Sequence, residues 1–110
     1  MSKEIVATEE VAENSGVGVY KFKKPTKIDG VEVTEISYDL NLLNGKAVRH
    51  IKAELAKRGY VVAVKELDEV FHAAMFAYAA DITVDSVEDF SSADYMEVAD
   101  IAKVFMFNEE

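Results

Sequence analysis

The sequence predicts an α+β fold in which an amino-terminal β-hairpin packs against about three α-helices. Residues 17–40 alternate in hydropathy on both sides of an Asp-Gly pair, which is typical of a hairpin. Apolar residues then recur at helical spacing in three later stretches. The chain has 110 residues and half of them are apolar, which suits one domain with a buried core.

The hairpin is predicted over residues 17–40. Val, Tyr and Phe alternate with Gly and Lys from residue 17 to 24, and Pro25 then interrupts, which indicates an edge strand or a bulge. Asp29 and Gly30 favour a type I′ turn, because both central positions of that turn need a positive φ. Period-two spacing places four residues of the returning strand on one face: Thr34, Ile36, Tyr38 and Leu40.

Three helices are predicted after the hairpin, at about residues 45–58, 66–80 and 92–106. Asn44 can cap the first helix, since its side chain can accept a backbone N–H of the first turn. An apolar stripe at helical spacing defines the second helix: Leu67, Val70, Phe71, Ala74, Met75 and Tyr78. The last helix can be capped by Ser91 or Ser92.

The remaining segments predict turns, links and an arm. Residues 60–64 are β-branched and fit either a short strand or an extended link. Residues 86–89 resemble a capping box that opens a short helical turn ending near Phe90. Residues 1–16 are rich in Glu, Ala and Ser, so we expect a flexible acidic arm followed by a single domain over residues 17–110.

Charge is distributed unevenly along the chain. The formal net charge is −9, yet residues 21–65 carry ten bases and five acids, whereas residues 66–110 carry twelve acids and one base. A net negative charge repels nucleic acid and anionic lipid, so we expect neither as a partner. The two regions can attract each other within one chain or between copies, which leaves a homo-oligomer open; solvated faces are the favoured interpretation.

The residues do not predict an enzyme. The chain has no cysteine, which excludes disulfides, thiolate nucleophiles and zinc sites that need sulfur. His50 with Glu54, and His72 with Asp68 and Glu69, are the candidate ligand or base pairs, but two such groups do not make a metal or catalytic site. Ordinary helix-surface or boundary histidines are the favoured interpretation. We therefore expect no catalytic residue, no metal and no cofactor.

Two further features bear on partners. Four lysines alternate with aromatic residues near the start of the hairpin, which suits nucleic acid, although lysines on a strand edge more often prevent edge-to-edge aggregation. These lysines are Lys21, Lys23, Lys24 and Lys27. The amino terminus has no apolar stretch of signal-peptide length, and no apolar run approaches the roughly 20 residues that span a bilayer.

Apolar side chains are concentrated around the last helix. Successive helical residues turn by about 100°, so three neighbours cannot all point toward one core. Methionine and aromatic side chains also make adaptable binding surfaces. We therefore predict a partner surface made of five residues, with residues folded back onto the core as the alternative: Tyr95, Met96, Phe105, Met106 and Phe107.

The order of these elements resembles one protein family. Phe22-x-x-Pro25, then Asp29-Gly30 and the run over residues 33–36, resemble the opening of phage tail assembly chaperones, which are encoded just before the tape measure protein. Leu43-Asn44-Gly45-Lys46 is similar to the usual helix start of that family. An Ala-rich and aromatic middle helix over residues 68–80 follows, and the resemblance continues in outline to residue 107.

The resemblance implies a non-enzymatic protein of the bacterial host cytoplasm that is absent from the mature virion. It would bind the tape measure protein, keep it soluble and help to recruit tail tube protein. The family often has a longer frameshifted product, of which this chain would be the shorter form. Two alternatives remain: an acidic phage-encoded inhibitor that mimics nucleic acid, and a minor structural virion protein.

Overall fold

The computed structural model describes residues 16–107. Strand β1 spans Val17–Ile28 and β2 spans Val31–Asp39, and a 3-10 turn follows at Leu40–Leu42. The helices are α1 (Gly45–Lys57), α2 (Glu69–Ala80), α3 (Val84–Glu88) and α4 (Ser92–Phe107). The predicted α+β architecture is confirmed. The predicted arm over residues 1–16 lies outside the described residues except for Gly16.

The two strands form the antiparallel hairpin that the sequence predicts. Asp29 and Gly30 have φ values of 54° and 82°, so both central turn positions are in the left-handed region, as a type I′ turn requires. The register of the strands slips between Lys21 and Thr26. Pro25 lies within this slip and has no N–H to donate, so the predicted interruption is a bulge.

Helix α2 lies at the centre of the fold and packs against α1, α3, α4 and β2. Eight of its twelve residues are buried: Phe71, His72, Ala73, Ala74, Met75, Phe76, Ala77 and Ala79. The sequence predicts one apolar stripe on this helix. That prediction is wrong, because a helix with neighbours on several sides is apolar around nearly its whole circumference. Leu67 and Tyr78, assigned to that stripe, are exposed.

Aromatic rings join the hairpin to the helices. The ring of Phe76 on α2 lies 6.5 Å from that of Tyr20 and 5.2 Å from that of Tyr38, measured between centroids. Phe22 of β1 packs edge-to-face against Phe90, with centroids 4.7 Å apart. Such pairs add to the stabilisation that burial of apolar surface already gives. The hairpin is thus part of the core.

Two helices begin at residues other than those predicted. The helix predicted over residues 66–80 begins only after Asp68, whose carboxylate accepts the backbone N–H of Phe71 at 3.0 Å and caps α2. Helix α3 begins before the predicted Ser86, because the hydroxyl of Thr83 accepts the N–H of Ser86 at 3.1 Å. In both helices the residue that caps the amino terminus, Asp68 or Thr83, is not the one from which the sequence predicted the start.

Other local predictions are confirmed. Asn44 accepts the N–H of Ala47 at 2.9 Å and caps α1, and Ser91 accepts the N–H of Asp94 at 3.2 Å at the start of α4. Residues 60–64 contain no strand and form an irregular link with a bend at Ala63. Within the described range, no helix has both the length and the apolar character needed to cross a membrane.

Candidate partner-binding surface

Helix α4 is fixed to the hairpin by the side chain of Asp94, which is fully buried. Its carboxylate accepts hydrogen bonds from the hydroxyls of Tyr20 and Ser91. It also accepts the backbone N–H groups of Lys23 at 2.9 Å and Lys24 at 3.1 Å. Burial alone would raise the pKa of Asp94, but these hydrogen bonds hold it at about 2. The carboxylate is therefore ionised and fixes the orientation of α4.

The link between α1 and α2, residues 58–68, is held at two points. The hydroxyl of Tyr60 donates to the carboxylate of Asp68, 2.8 Å from each oxygen. The Nε2–H of His72 donates to the backbone carbonyl of Lys65 at 2.8 Å. His72 is only 3% exposed, so the predicted helix-surface or boundary histidine is wrong. It is buried because α2 is covered on that side and the carbonyl satisfies its ring nitrogen.

A groove lies between the outer face of α4 and the junction of this link with α2. Its central part, of about 300 Å³, is lined by Leu67, Glu69, His72, Met96, Ala99, Asp100 and Lys103. Two further hollows adjoin it: one shares Leu67 and reaches Val64, and the other shares Lys103 and reaches Val104 and Phe107. We call this surface, from Val64 to Phe107, the α4 groove.

The α4 groove exposes large apolar side chains. The exposed fractions are 51% for Val64, 74% for Leu67, 56% for Met96 and 46% for Val104. Scattered exposed apolar residues are ordinary, but a continuous set that lines one groove is typical of an interaction site. This surface is therefore the best candidate for partner binding on the described part of the chain.

Carboxylates line the same groove. The side chains of Glu69 and Asp100 form no ion pair or hydrogen bond with another described residue. The basic residue in the central part is Lys103. The exposed side chains of Leu67 and Met96 are therefore interspersed with carboxylates that are available to a cationic partner.

The structure brings together only part of the predicted partner surface. Met96 lines the centre of the α4 groove and Phe107 lines its end. The remaining three residues do not line the groove and, like Phe107, are half-buried and pack against the core: Tyr95, Phe105 and Met106. Phe105 points toward the start of the hairpin, where a Cβ on Gly16 would lie 2.8 Å from its Cε1 atom. The partner-binding role of all five stays a prediction.

The sequence prediction missed three exposed apolar residues of this surface. Leu67 was assigned to an apolar helical stripe, but it precedes the Asp68 cap and so lies outside the helix. Val64 lies in the link, and Val104 lies on α4 directly before Phe105. The signal that could have found Leu67 is its place directly before an Asp cap, where a side chain need not follow the helical face.

A second hollow, of about 270 Å³, lies between α1, α2 and α3. It contains the candidate pair His50 and Glu54, together with Arg58. Arg58 is already paired with Asp85 at 2.7 Å and approaches Glu54 at 3.7 Å. Among residues 16–107, no three His, Asp or Glu side chains lie close enough together to hold a metal ion.

The lysine-rich strand does not present aromatic rings as a stacking surface. Tyr20 is 8% exposed and its hydroxyl binds Asp94, while Phe22 packs on Phe90. Lys23 pairs with Glu97 across to α4, with Nζ and Oε1 2.6 Å apart. The rings therefore serve the core, and one of the lysines ties the hairpin to α4.

Comparisons with protein-family models, curated proteins and solved structures found no significant match to this chain. Its function therefore has to be inferred from the sequence pattern and from the α4 groove.

Proposed function

We propose that this chain is a non-enzymatic tail assembly chaperone of a phage or prophage. It binds the tape measure protein in the host cytoplasm, keeps it soluble and helps to recruit tail tube subunits. The order of elements along the sequence supports the proposal. The single observation that carries it is the set of exposed apolar side chains along the α4 groove. A chaperone of this kind must bind a polypeptide without changing it covalently, and exposed apolar side chains can do so.

The groove is suited to weak and reversible contacts. Burying one large apolar side chain contributes on the order of 2 kcal/mol, before the costs of association are subtracted. With Leu67, Met96 and two valines exposed, one groove gives modest affinity, and many copies along a long partner give high avidity. Met96 adds adaptability, because its unbranched thioether can pack against different side chains.

The net charge of −9 is consistent with the same role. A protein that exposes an apolar groove tends to self-associate, and a high net charge opposes this through mutual repulsion. The unloaded chaperone therefore stays soluble until it meets its partner.

The test is co-expression with a tape measure protein, which the proposal expects to be encoded directly downstream of this chain. We expect the chain to keep that protein soluble and to co-purify with it. The double variant Leu67→Ser/Met96→Ser should lose most of the co-purified protein, because it removes the two most exposed apolar contacts of the central groove. The matched control is Leu42→Ser/Val31→Ser, which changes side chains that are 50% and 62% exposed outside the groove.

Three results would contradict the proposal. One is equal solubility of the tape measure protein with and without the chain. Another is full capture by the folded groove variant. The third is the presence of the chain in purified virions, which would favour a structural component. Binding that collapses at high salt and targets a basic host protein would instead favour an acidic inhibitor.

A further inference from the structure

We infer that the α4 groove receives an amphipathic α-helix whose apolar stripe is flanked by lysine or arginine. This inference deepens the proposed function and rests on it, because it names the kind of partner segment that the same groove binds. Three features of the structure support it: the shape of the groove, the charge of its walls and the composition of its surroundings.

The shape favours a helix as the occupant. One wall is the outer face of α4, where Met96, Asp100, Lys103 and Phe107 follow each other at helical spacing over roughly 16 Å. The opposite wall contains Leu67. Ala99 lies between Met96 and Asp100 along the helix and is buried, so it forms part of the floor of the groove.

An extended segment would fit this groove less well. The walls consist of side chains from α4, the link and the first turn of α2, so an extended backbone lying between them would lack partners for its N–H and C=O groups. A helix satisfies these groups internally and can present anchors at i, i+4 and i+7 to the groove. We therefore place a helix in the groove.

The negative charge of the groove walls favours basic residues on either side of the apolar stripe of that helix. Glu69 and Asp100 border the apolar lining without an ion pair to another described residue. Residues 66–107 carry ten acidic side chains and one basic one, Lys103. Lysine or arginine beside the apolar stripe of the partner would meet these carboxylates, whereas acidic flanks would be repelled.

A second copy of this chain is a poor occupant for the same reason. Two α4 grooves brought face to face would oppose Glu69 and Asp100 of one copy to the same acidic surface of the other. Repulsion of this kind disfavours a symmetric pairing. The groove is thus suited to a basic partner of different sequence.

The experiment uses the full chain and three labelled peptides. Two are designed helices of about 18 residues with one leucine stripe, flanked either by lysines or by glutamates at matched positions. The third peptide is residues 1–15 of this chain. Fluorescence anisotropy at about 0.1 M salt should show that the lysine-flanked helix binds at least about tenfold more tightly than either of the others.

Variants then place the binding site. Leu67→Ser/Met96→Ser should weaken binding of the lysine-flanked helix about tenfold or more, and Leu42→Ser/Val31→Ser should leave it unchanged. Asp100→Lys combined with Glu69→Gln should shift the preference toward the glutamate-flanked helix. Circular dichroism confirms that each variant is folded, and Asp100→Lys alone serves as a second test if the combination does not fold.

Defined results would overturn the inference. These are equal affinity for the two designed helices, tighter binding of the peptide of residues 1–15, or equal loss in the groove and control variants. Analytical sedimentation gives a further test. A dimer of the wild-type chain that dissociates only in the groove variant would also overturn the inference, because it would assign the groove to a second copy. Lysine-dependent groove binding without capture of the tape measure protein would contradict the proposed function alone.

Discussion

The buried carboxylate of Asp94 accepts a hydrogen bond from the hydroxyl of Tyr20, a residue that lies 74 positions earlier in the chain. The contact joins the inner face of the hairpin to the first turn of α4. Successive helical residues turn by about 100°, so Met96 lies about 200° around the helix from Asp94. Fixing Asp94 inside therefore directs Met96 toward the α4 groove.

The first prediction concerns removal of this carboxylate. Asp94→Ala should lower the free energy of unfolding by about 3 kcal/mol, because the Tyr20 hydroxyl and two backbone N–H groups would lose a charged acceptor at a buried site. Urea denaturation followed by circular dichroism measures the loss. Asp100→Ala, on the exposed side of the same helix, should change stability by less than about 0.5 kcal/mol. Equal effects of the two variants would contradict the proposed anchor.

The second prediction is a pH dependence that depends on Asp94. Its pKa is about 2 in the folded chain, against an ordinary value of 3.8. A carboxyl group with a lowered folded pKa stabilises the fold above its unfolded pKa, and this stabilisation is lost as the pH falls through the folded pKa. The stability difference between the wild-type chain and Asp94→Asn should therefore shrink by about 2 kcal/mol between about pH 4 and about pH 2.

Urea unfolding of both proteins from pH 7 down to pH 2 measures this difference. Other carboxyl groups titrate in the same range, and the comparison removes them because both chains share them. A difference that stays constant across the whole range would show that Asp94 has no lowered pKa in the folded state.

Local patterns were sufficient to predict the hairpin and the first residues of α1 and α4. The turn at Asp29 and Gly30, the interruption at Pro25 and the cap at Asn44 each depend on the chemistry of one or two neighbouring residues. Such signals act over a few residues, so a single sequence contains them.

The burial of His72 and the make-up of the groove depend on tertiary contacts, which local sequence patterns do not report. His72 looked like a boundary residue from its place beside an apolar stripe, but α2 is covered on several sides and the Lys65 carbonyl accepts its Nε2–H. Met96 and Phe107 were predicted for the partner surface and do line the groove, whereas Phe105 packs near Gly16. The facing wall at Leu67 depends on how the link folds back, which periodicity along one helix does not report.

The third prediction concerns Gly16 at the start of the hairpin. Its φ is +85°, and a Cβ there would lie 2.8 Å from the Cε1 atom of Phe105. Gly16→Ala should therefore lower the free energy of unfolding by about 2 kcal/mol, through backbone strain and displacement of the ring. Gly45→Ala is the matched control, because a Cβ at Gly45 meets nothing within 4 Å.

Thermal unfolding compares the two glycine variants. Gly45 lies at the first position of α1, where alanine favours the helix, so Gly45→Ala should be neutral or stabilising by up to about 1 kcal/mol. Destabilisation of the same size in both variants would show that the contact with Phe105 does not matter.

The fourth prediction tests the hydrogen bond that holds one wall of the groove. His72→Leu removes the donor to the Lys65 carbonyl, which should raise hydrogen-exchange rates across residues 60–67 by about tenfold, because the link opens more easily. His72→Gln keeps an N–H donor and should restore part of the protection. His50→Leu changes the exposed histidine of α1 and should leave the exchange of the link unchanged. Since Leu67 belongs to this link, His72→Leu should also weaken binding of the lysine-flanked helix. If hydrogen exchange and binding are both unchanged in His72→Leu, the groove does not depend on this hydrogen bond.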